Sequence, residues 1–211
     1  MIKAYIFDMD GVLIDNSKSD PKIYGETYEN ISENTGKSIE EVKKEMKSGY
    51  PNSLSLEFYD WNTKILKLGG TVKLEELHKK YSDLIKAYSE VKQTIRELKS
   101  RKKIICFVSN GYRVFQEIKL HATGLQNSFD FVFTADDFKA IKQDQMFWKK
   151  LMNEMKTKPR EMIFVEDVES QLITAKRLGI KTVRMNRSRG KVETEADYLI
   201  HKLDEILKIS G

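Results

Sequence analysis

Two aspartates separated by one residue, Asp8 and Asp10, follow an apolar run near the start of the chain. That run, residues 4–7, is typical of a strand buried on both faces, so we expect the carboxylates where it emerges. Because side chains alternate along a strand, both carboxylates would point the same way. A shared proton, a neighbouring lysine or a divalent cation would offset their repulsion. The pair is a candidate catalytic or metal-binding site, with a turn or helix cap as the simpler alternative.

Polar groups also follow three later apolar runs. The first offers a hydroxyl, an amide and backbone N–H groups at a helix start, which suit a phosphate oxygen. The second offers two lysines, either of which could act as a point charge over a phosphoryl group, and the third is another acid pair. In chain order these residues are Ser109, Asn110 and Gly111; Lys139 and Lys142; and Glu166 and Asp167. This ordered set fits phosphoryl transfer through an aspartyl-phosphate, where catalysis is positioning and charge neutralisation.

The elements that must position these groups alternate between short strands and amphipathic helices from about residue 91 onward. We predict strands at 103–108, 129–134, 162–165 and 181–185, with helices at 111–121, 145–156 and 169–178. This alternation predicts an α/β fold with a doubly wound parallel sheet. In such sheets the ligand lies at the carboxyl ends of the strands, where the strand order reverses.

The segment 16–88 has a different pattern, because its apolar residues recur at helical spacing and no clear strand is visible. We therefore predict two domains. Residues 1–15 and 89–211 would form the α/β core, and residues 16–88 a helical insertion.

The composition describes a globular chain of 211 residues, 40% hydrophobic and 33% charged, with mean hydropathy −0.53. Its apolar runs are too short to cross a bilayer, and no export signal precedes the first strand, so we expect a cytoplasmic protein that does not contact membranes. The formal net charge of +5 comes from lysines interleaved with glutamates, which argues against nucleic-acid binding.

Several reactive residue types carry no predicted chemistry. Cys106 lies in an apolar run and is expected to be buried without a redox role. The three histidines fall on helical segments away from strand ends, and Trp148 is expected to pack its helix. One basic group follows a predicted strand and could face an anionic ligand: Arg184, Arg187, Arg189 and Lys191.

Taken together, the motifs resemble those of the haloacid dehalogenase superfamily of phosphohydrolases over nearly the whole chain. FDMDG with Asp15 resembles the DxD signature, FVSNG the strand that ends in Ser or Thr, and FVEDVESQLITAKRLGIKTV the acidic fourth motif. The resemblance implies a Rossmann-like core, a Mg²⁺ cofactor and a helical cap of the first type formed by residues 16–88.

The resemblance also implies roles for individual residues. Asp8 would be the nucleophile and a metal ligand. Asp10, also placed in the metal set, would protonate the leaving oxygen and then activate water. Ser109 would bind the phosphoryl group, aided by the backbone at Asn110 and Gly111. The remaining implied site residues are Asp167 and Glu166 for Mg²⁺, and Lys142 as the motif lysine.

Two departures from the family pattern stand out. Relatives commonly read K-P-x-P-x-x-F, whereas here Lys142 and Phe147 match and both prolines are missing, which leaves Lys139 as an alternative lysine. Gln171 stands where many relatives carry another acid, which could alter metal affinity. Candidate cap residues that could read the leaving group are Tyr24, Lys47, Tyr50, Asn52 and Trp61.

The leading hypothesis is a Mg²⁺-dependent phosphatase acting on a small phosphorylated metabolite, as a monomer or homodimer. Asp10 favours phosphate chemistry, because the dehalogenase branch lacks an acid at that position. A phosphomutase of the β-phosphoglucomutase type shares the same nucleophile. A degenerate, ligand-binding relative without turnover is a further alternative. A response-regulator receiver is disfavoured by the insertion and by the second aspartate of the DxD motif.

Overall fold

The computed structural model describes residues 1–48 and 55–209. Its strands are β1 Ala4–Phe7, β2 Ile14–Asp15, β3 Lys86–Ala87, β4 Ile104–Ser109, β5 Phe131–Thr134, β6 Met162–Glu166, β7 Lys181–Met185 and β8 Tyr198–Ile200. Its α-helices are α1 Asp20–Thr35, α2 Ile39–Lys47, α3 Trp61–Lys67, α4 Leu74–Lys80, α5 Val91–Ser100, α6 Arg113–Thr123, α7 Ala135–Phe138, α8 Gln145–Met155 and α9 Glu169–Arg177. Short 3₁₀ turns are Leu56–Tyr59, Ser82–Leu84, Pro159–Glu161 and Leu203–Lys208.

Within these residues the main sheet has six strands in the order β5-β4-β1-β6-β7-β8, and every neighbouring pair is parallel. The chain builds outward from β1 through β4 to β5, then crosses to β6 and continues to β8. The strand order therefore reverses at β1, which places the ligand-binding edge at its carboxyl end. The predicted doubly wound α/β fold is confirmed.

The alternation of side chains along the central strands divides the core into two layers. On one face Tyr5 and Phe7 pack with residues of α5 and of the Leu203–Lys208 turn. On the other face Ala4 and Ile6 pack with Trp148 and its neighbours on α8 and α9. Burial on both faces explains why the strands are continuous apolar runs.

Helices α1 to α4 lie between β2 and β3 and share a separate apolar cluster that includes Ile23, Ile31 and Leu77. Helix α2 begins with a capping box, in which Ser38 and Glu41 satisfy each other's backbone N–H groups. The expectation that residues 16–88 contain no strand is wrong, because β3 pairs antiparallel with β2. The division into a core and a cap stays a prediction.

Other expectations differ from the structure in detail. Helix α6 begins and ends two residues later than predicted, and α7 and β8 were not predicted. Cys106 is buried, as expected. Arg187, one of the basic residues after β7, has partners within the protein: its guanidinium pairs with Glu90 at 2.5 Å and donates to the carbonyl of Gly11 at 3.1 Å. In the described part of the chain, no helix is long and apolar enough to cross a membrane.

Candidate active site

Asp8 follows directly from β1, at the point where the strand order reverses. Its neighbours across the sheet are the ends of β4 and β6, since Phe7 pairs with Phe107 and with Val165. The backbone N–H of Asp8 donates to the carbonyl of Val165 at 3.0 Å. The side chain of Asp8 is buried, with 7% of the residue exposed. This position brings its carboxylate next to Lys142 and to the acids at the end of β6.

Lys142 is the cation beside Asp8. Its ammonium donates to Asp8 Oδ1 and to Glu166 Oε2 at 2.6 Å, and only 1% of the residue is exposed. Burial alone would lower the pKa of Lys142, but the charges of Asp8 and Glu166 outweigh it and the net shift is upward. Lys139, the alternative lysine of the sequence, is exposed. The structure therefore places Lys142, and not Lys139, at the acids.

The backbone of Lys142 is fixed at both ends. Its N–H donates to Asn110 Oδ1 at 2.8 Å, and its carbonyl accepts from Trp148 Nε1 at 2.7 Å. The side-chain amide of Asn110 also donates to Gln143 Oε1 at 2.9 Å. These hydrogen bonds hold the segment in which many relatives carry two prolines.

Three carboxylates, those of Asp8, Glu166 and Asp167, each bring an oxygen within 4.8 Å of the others. Burial, with a smaller contribution from the charge of Glu166, raises the pKa of Asp8 to about 7. Burial likewise raises the pKa of Glu166 to about 7 and that of Asp167 to about 6. In their ionised forms, three acids beside one lysine leave two negative charges, so the donor set fits a divalent cation with oxygen ligands.

The hydrogen bonds distinguish these three acids. Both oxygens of Glu166 are engaged, because Oε2 accepts from Lys142 and Oε1 accepts from the backbone N–H groups of Asp167 and Val168 at 2.9 and 3.0 Å. Asp8 and Asp167 keep more of their lone pairs available. The arrangement therefore suits Asp8 and Asp167 as direct ligands, with Glu166 holding the lysine and the loop.

Asp10, which the sequence analysis placed in the metal set, lies outside this group of three. Both of its carboxylate oxygens accept from Lys119 Nζ at 2.8 Å. Lys119 lies on α6 and is buried. Asp10 is thus held by a lysine from another element, on the wall of the same cavity as Asp8.

The loop after β4 holds the residues predicted to bind a phosphoryl group. Ser109 and Asn110 are both buried, and Ser109 Oγ accepts from the backbone N–H of Gly111 at 3.0 Å. The amide of Asn110 also donates to Gln171 Oε1 at 3.3 Å. Gln171, which replaces an acid of many relatives, is therefore part of the network that holds Asn110.

A cavity of about 320 Å³ opens over these groups. Its outer wall includes the predicted cap residues Tyr24 and Trp61, whose rings lie 5.0 Å apart. Lys47 lines an adjacent hollow instead. Tyr50 and Asn52, also predicted to read the leaving group, lie outside the described residues.

Several residues of the cavity wall were not identified from the sequence as site residues, among them Lys119, Gln116 and His78. Gln116 Oε1 is buried without a hydrogen-bond partner among the described residues. His78, expected to be an ordinary surface or core histidine, is buried. Its ring stacks on that of Phe115 with the centroids 5.3 Å apart, and it also lines the cavity. The sequence feature that could have identified two of them is the presence of a lysine and a glutamine among the apolar residues on the buried face of α6.

A buried aspartate at the switch point of a doubly wound sheet, beside a lysine and further acids, defines an α/β protein with a carboxylate-centred candidate active site. Comparison with known families matches residues 5–185 to the haloacid dehalogenase-like hydrolases. The chain belongs to this family.

Individual relatives within the family have different activities. The chain is 29% identical over 136 residues to pyrophosphatase PpaX of Bacillus mycoides, covering 63% of each protein. It is 29% identical over 135 residues to (S)-2-haloacid dehalogenase 4A of Burkholderia cepacia, covering 64% of this chain and 58% of the relative. The matched segment thus spans less than two thirds of either relative. Among solved structures, a HAD phosphatase from Thermococcus onnurineus matches with a TM-score of 0.88 and 29% identity, over 98% of this chain and 97% of that one.

Proposed function

We propose that this protein is a Mg²⁺-dependent phosphohydrolase that removes phosphate from a small phosphorylated metabolite through an aspartyl-phosphate on Asp8. The observation that carries the proposal is the group of buried Asp8 and Glu166 with partly buried Asp167. Lys142 lies between two of these acids, and Asp10 is on the same cavity wall. A carboxylate nucleophile needs a cationic surrounding to approach an anionic phosphoryl group. These residues supply it.

In the first half of the reaction, a carboxylate oxygen of Asp8 bonds to phosphorus and the bond to the leaving oxygen breaks. Asp10, on the same wall, gives its proton to the departing oxygen. Lys142 and the hydroxyl of Ser109 hold the transferred phosphoryl group by charge and hydrogen bonding. In the second half, Asp10 takes a proton from water as the water oxygen bonds to phosphorus, which releases phosphate and restores Asp8.

Asp8 and Asp167 would hold the metal, with Glu166 behind them. When bound, Mg²⁺ supplies positive charge that offsets the phosphoryl oxygens. This requirement for a cation agrees with the raised pKa values of the three acids, because ionised carboxylates buried together need a partner of opposite charge.

The relatives leave the substrate open between a phosphate ester, pyrophosphate and a haloacid. Asp10 favours the phosphorus compounds, since an acid at this position can protonate an oxygen leaving group, whereas halide needs no proton to leave. The 320 Å³ cavity is the size of a pocket for a small metabolite.

The experiment is an assay of phosphate release from p-nitrophenyl phosphate, sugar phosphates, nucleotides, phosphoglycolate and pyrophosphate, with Mg²⁺ or EDTA. Wild type is compared with Asp8→Asn, and with Asp204→Asn as a control, because Asp204 is exposed in the turn near the carboxyl end of the described chain. Release that requires Mg²⁺, persists in Asp204→Asn and is lost in Asp8→Asn supports the proposal.

Three results would count against it. Phosphate release that survives Asp8→Asn removes the nucleophile from the mechanism. Chloride release from 2-chloropropionate without phosphate release identifies a dehalogenase. Interconversion of sugar phosphate isomers without net phosphate release identifies a phosphomutase instead.

A further inference from the structure

Lys119 is a buried lysine that the reaction steps above do not use. It projects from α6 and donates hydrogen bonds to both oxygens of Asp10, each at 2.8 Å. The lysine side chain is 7% exposed, whereas that of Asp10 is 43% exposed. The acid therefore borders the cavity and the cation behind it is withdrawn from solvent.

The charges around Lys119 explain how it tolerates burial. Burial by itself would lower the pKa of Lys119, but the negative charge of Asp10, with smaller effects from Asp20 and Asp8, more than compensates and the net shift is upward. A buried cation of this kind is costly to place in a protein unless it is paired. Its ammonium is directed at Asp10, and it reaches both oxygens of that side chain.

We propose that Lys119 is a positioning residue that orients the Asp10 carboxylate towards the water that attacks phosphorylated Asp8. This inference rests on the proposed function. A half-exposed aspartate has several accessible rotamers, and two hydrogen bonds from one rigidly placed ammonium select one of them.

The step that Lys119 serves is the breakdown of the aspartyl-phosphate. The water oxygen bonds to phosphorus, one water proton passes to an oxygen of Asp10, and the phosphorus–oxygen bond to Asp8 breaks with its electron pair returning to the Asp8 carboxylate. Water and the two aspartates account for every atom transferred. Lys119 loses nothing in the step: it keeps Asp10 in place while the proton moves.

The test uses p-nitrophenyl phosphate, because p-nitrophenolate leaves without needing a proton, so a misplaced Asp10 slows breakdown of the phosphoenzyme and not its formation. Steady-state kinetics and acid-quenched phosphoenzyme are measured for wild type, Lys119→Met, Asp10→Asn and the double variant. Lys103→Met is the matched control, since Lys103 donates to the Ile2 carbonyl at 2.6 Å at the opposite end of the sheet. Lys119→Arg keeps a cation in the site and serves as the test variant if Lys119→Met does not fold.

We expect Lys119→Met to lower kcat about 10- to 100-fold and to lower KM with it, because slower breakdown of the phosphoenzyme reduces both and leaves kcat/KM nearly unchanged. The phosphoenzyme fraction should rise, and adding Lys119→Met to Asp10→Asn should change kcat less than about twofold, because the two residues act as one unit. Lys119→Arg should show a smaller fall in kcat with the same excess of phosphoenzyme, because the guanidinium fork does not reproduce the ammonium geometry.

Distinct results overturn the inference. Multiplied losses in the double variant would mean that Lys119 acts independently of Asp10. A raised KM with unchanged kcat would make it a substrate contact, and wild-type kinetics in Lys119→Met and Lys119→Arg would leave it no role in turnover. If wild type itself neither releases phosphate nor forms a phosphoenzyme, the proposed function has failed instead.

Discussion

Gly11, the residue after Asp10, allows a test of whether the position of Asp167 determines metal binding. Its φ of 73° lies in the left-handed region. A Cβ placed there would come within 2.8 Å of Asp167 Cγ, and it would overlap one of the carboxylate oxygens of Asp167. The Gly11→Ala variant must therefore accept an unfavourable backbone conformation and also displace a predicted metal ligand.

The two effects can be separated with a second glycine. Gly36 ends α1 with a φ of 72°, and nothing lies within 4 Å of the position of its missing Cβ. The backbone term is about 1–2 kcal/mol for either alanine variant. For a chain of this size, each should lower Tm by about 2–8 °C.

Only Gly11→Ala should change metal binding, because only its methyl group moves Asp167. We expect the Mg²⁺ concentration for half-maximal phosphatase activity to rise about 10-fold or more in this variant, and to stay at the wild-type value in Gly36→Ala. Thermal melts in EDTA measure the backbone cost to stability. Titrations of phosphatase activity with Mg²⁺ measure the change in metal binding. Equal Mg²⁺ requirements in both variants would refute the reasoning.

Three further predictions concern the same site. Because burial raises the pKa of Asp8 from 3.8 to about 7, the unfolded chain loses this proton first and the folded state loses stability as pH rises between these values. Asp8→Asn should therefore flatten the pH dependence of Tm in EDTA. An unchanged pH dependence would contradict a raised pKa for Asp8. Saturating Mg²⁺ should raise Tm more at about pH 8 than at about pH 5, because protons compete for the same carboxylates; calorimetry at both pH values checks this. Trp148→Phe leaves the buried Lys142 carbonyl without its donor, so it should cost about 1–3 kcal/mol in denaturant unfolding and reduce kcat, whereas wild-type values would show that the hydrogen bond is dispensable.

The parts of the site that follow strands could be predicted from the sequence, because each is marked locally. A buried parallel strand is an apolar run, and the first polar residues after it lie at the ligand-binding edge whatever the rest of the fold does. Asp8, Ser109 and Glu166 are of this kind, at the ends of β1, β4 and β6. The helical nature of the insertion also followed from local spacing.

Other parts of the site and the fold depend on contacts between distant segments, and no local sequence pattern predicts them. Sequence alone could not choose firmly between Lys139 and Lys142, since both lie in one polar loop and only the fold buries the second. The lysine that holds Asp10 comes from a helix 109 positions away, and its distinguishing feature is a charge on the buried face of α6. Strands β2 and β3 contain two residues each, which is too short for a periodic pattern.

The fixing of Lys142 has a consequence for the thermodynamics of ligand binding. A lysine side chain carries about 2 kcal/mol of rotamer entropy when free. Here the N–H, the carbonyl and the ammonium of the residue each already have partners in the chain without ligand, so this entropy is lost when the protein folds. An arriving phosphate group would meet a cation whose position is already set. The cost of ordering then falls on the stability of the protein and not on its affinity for substrate.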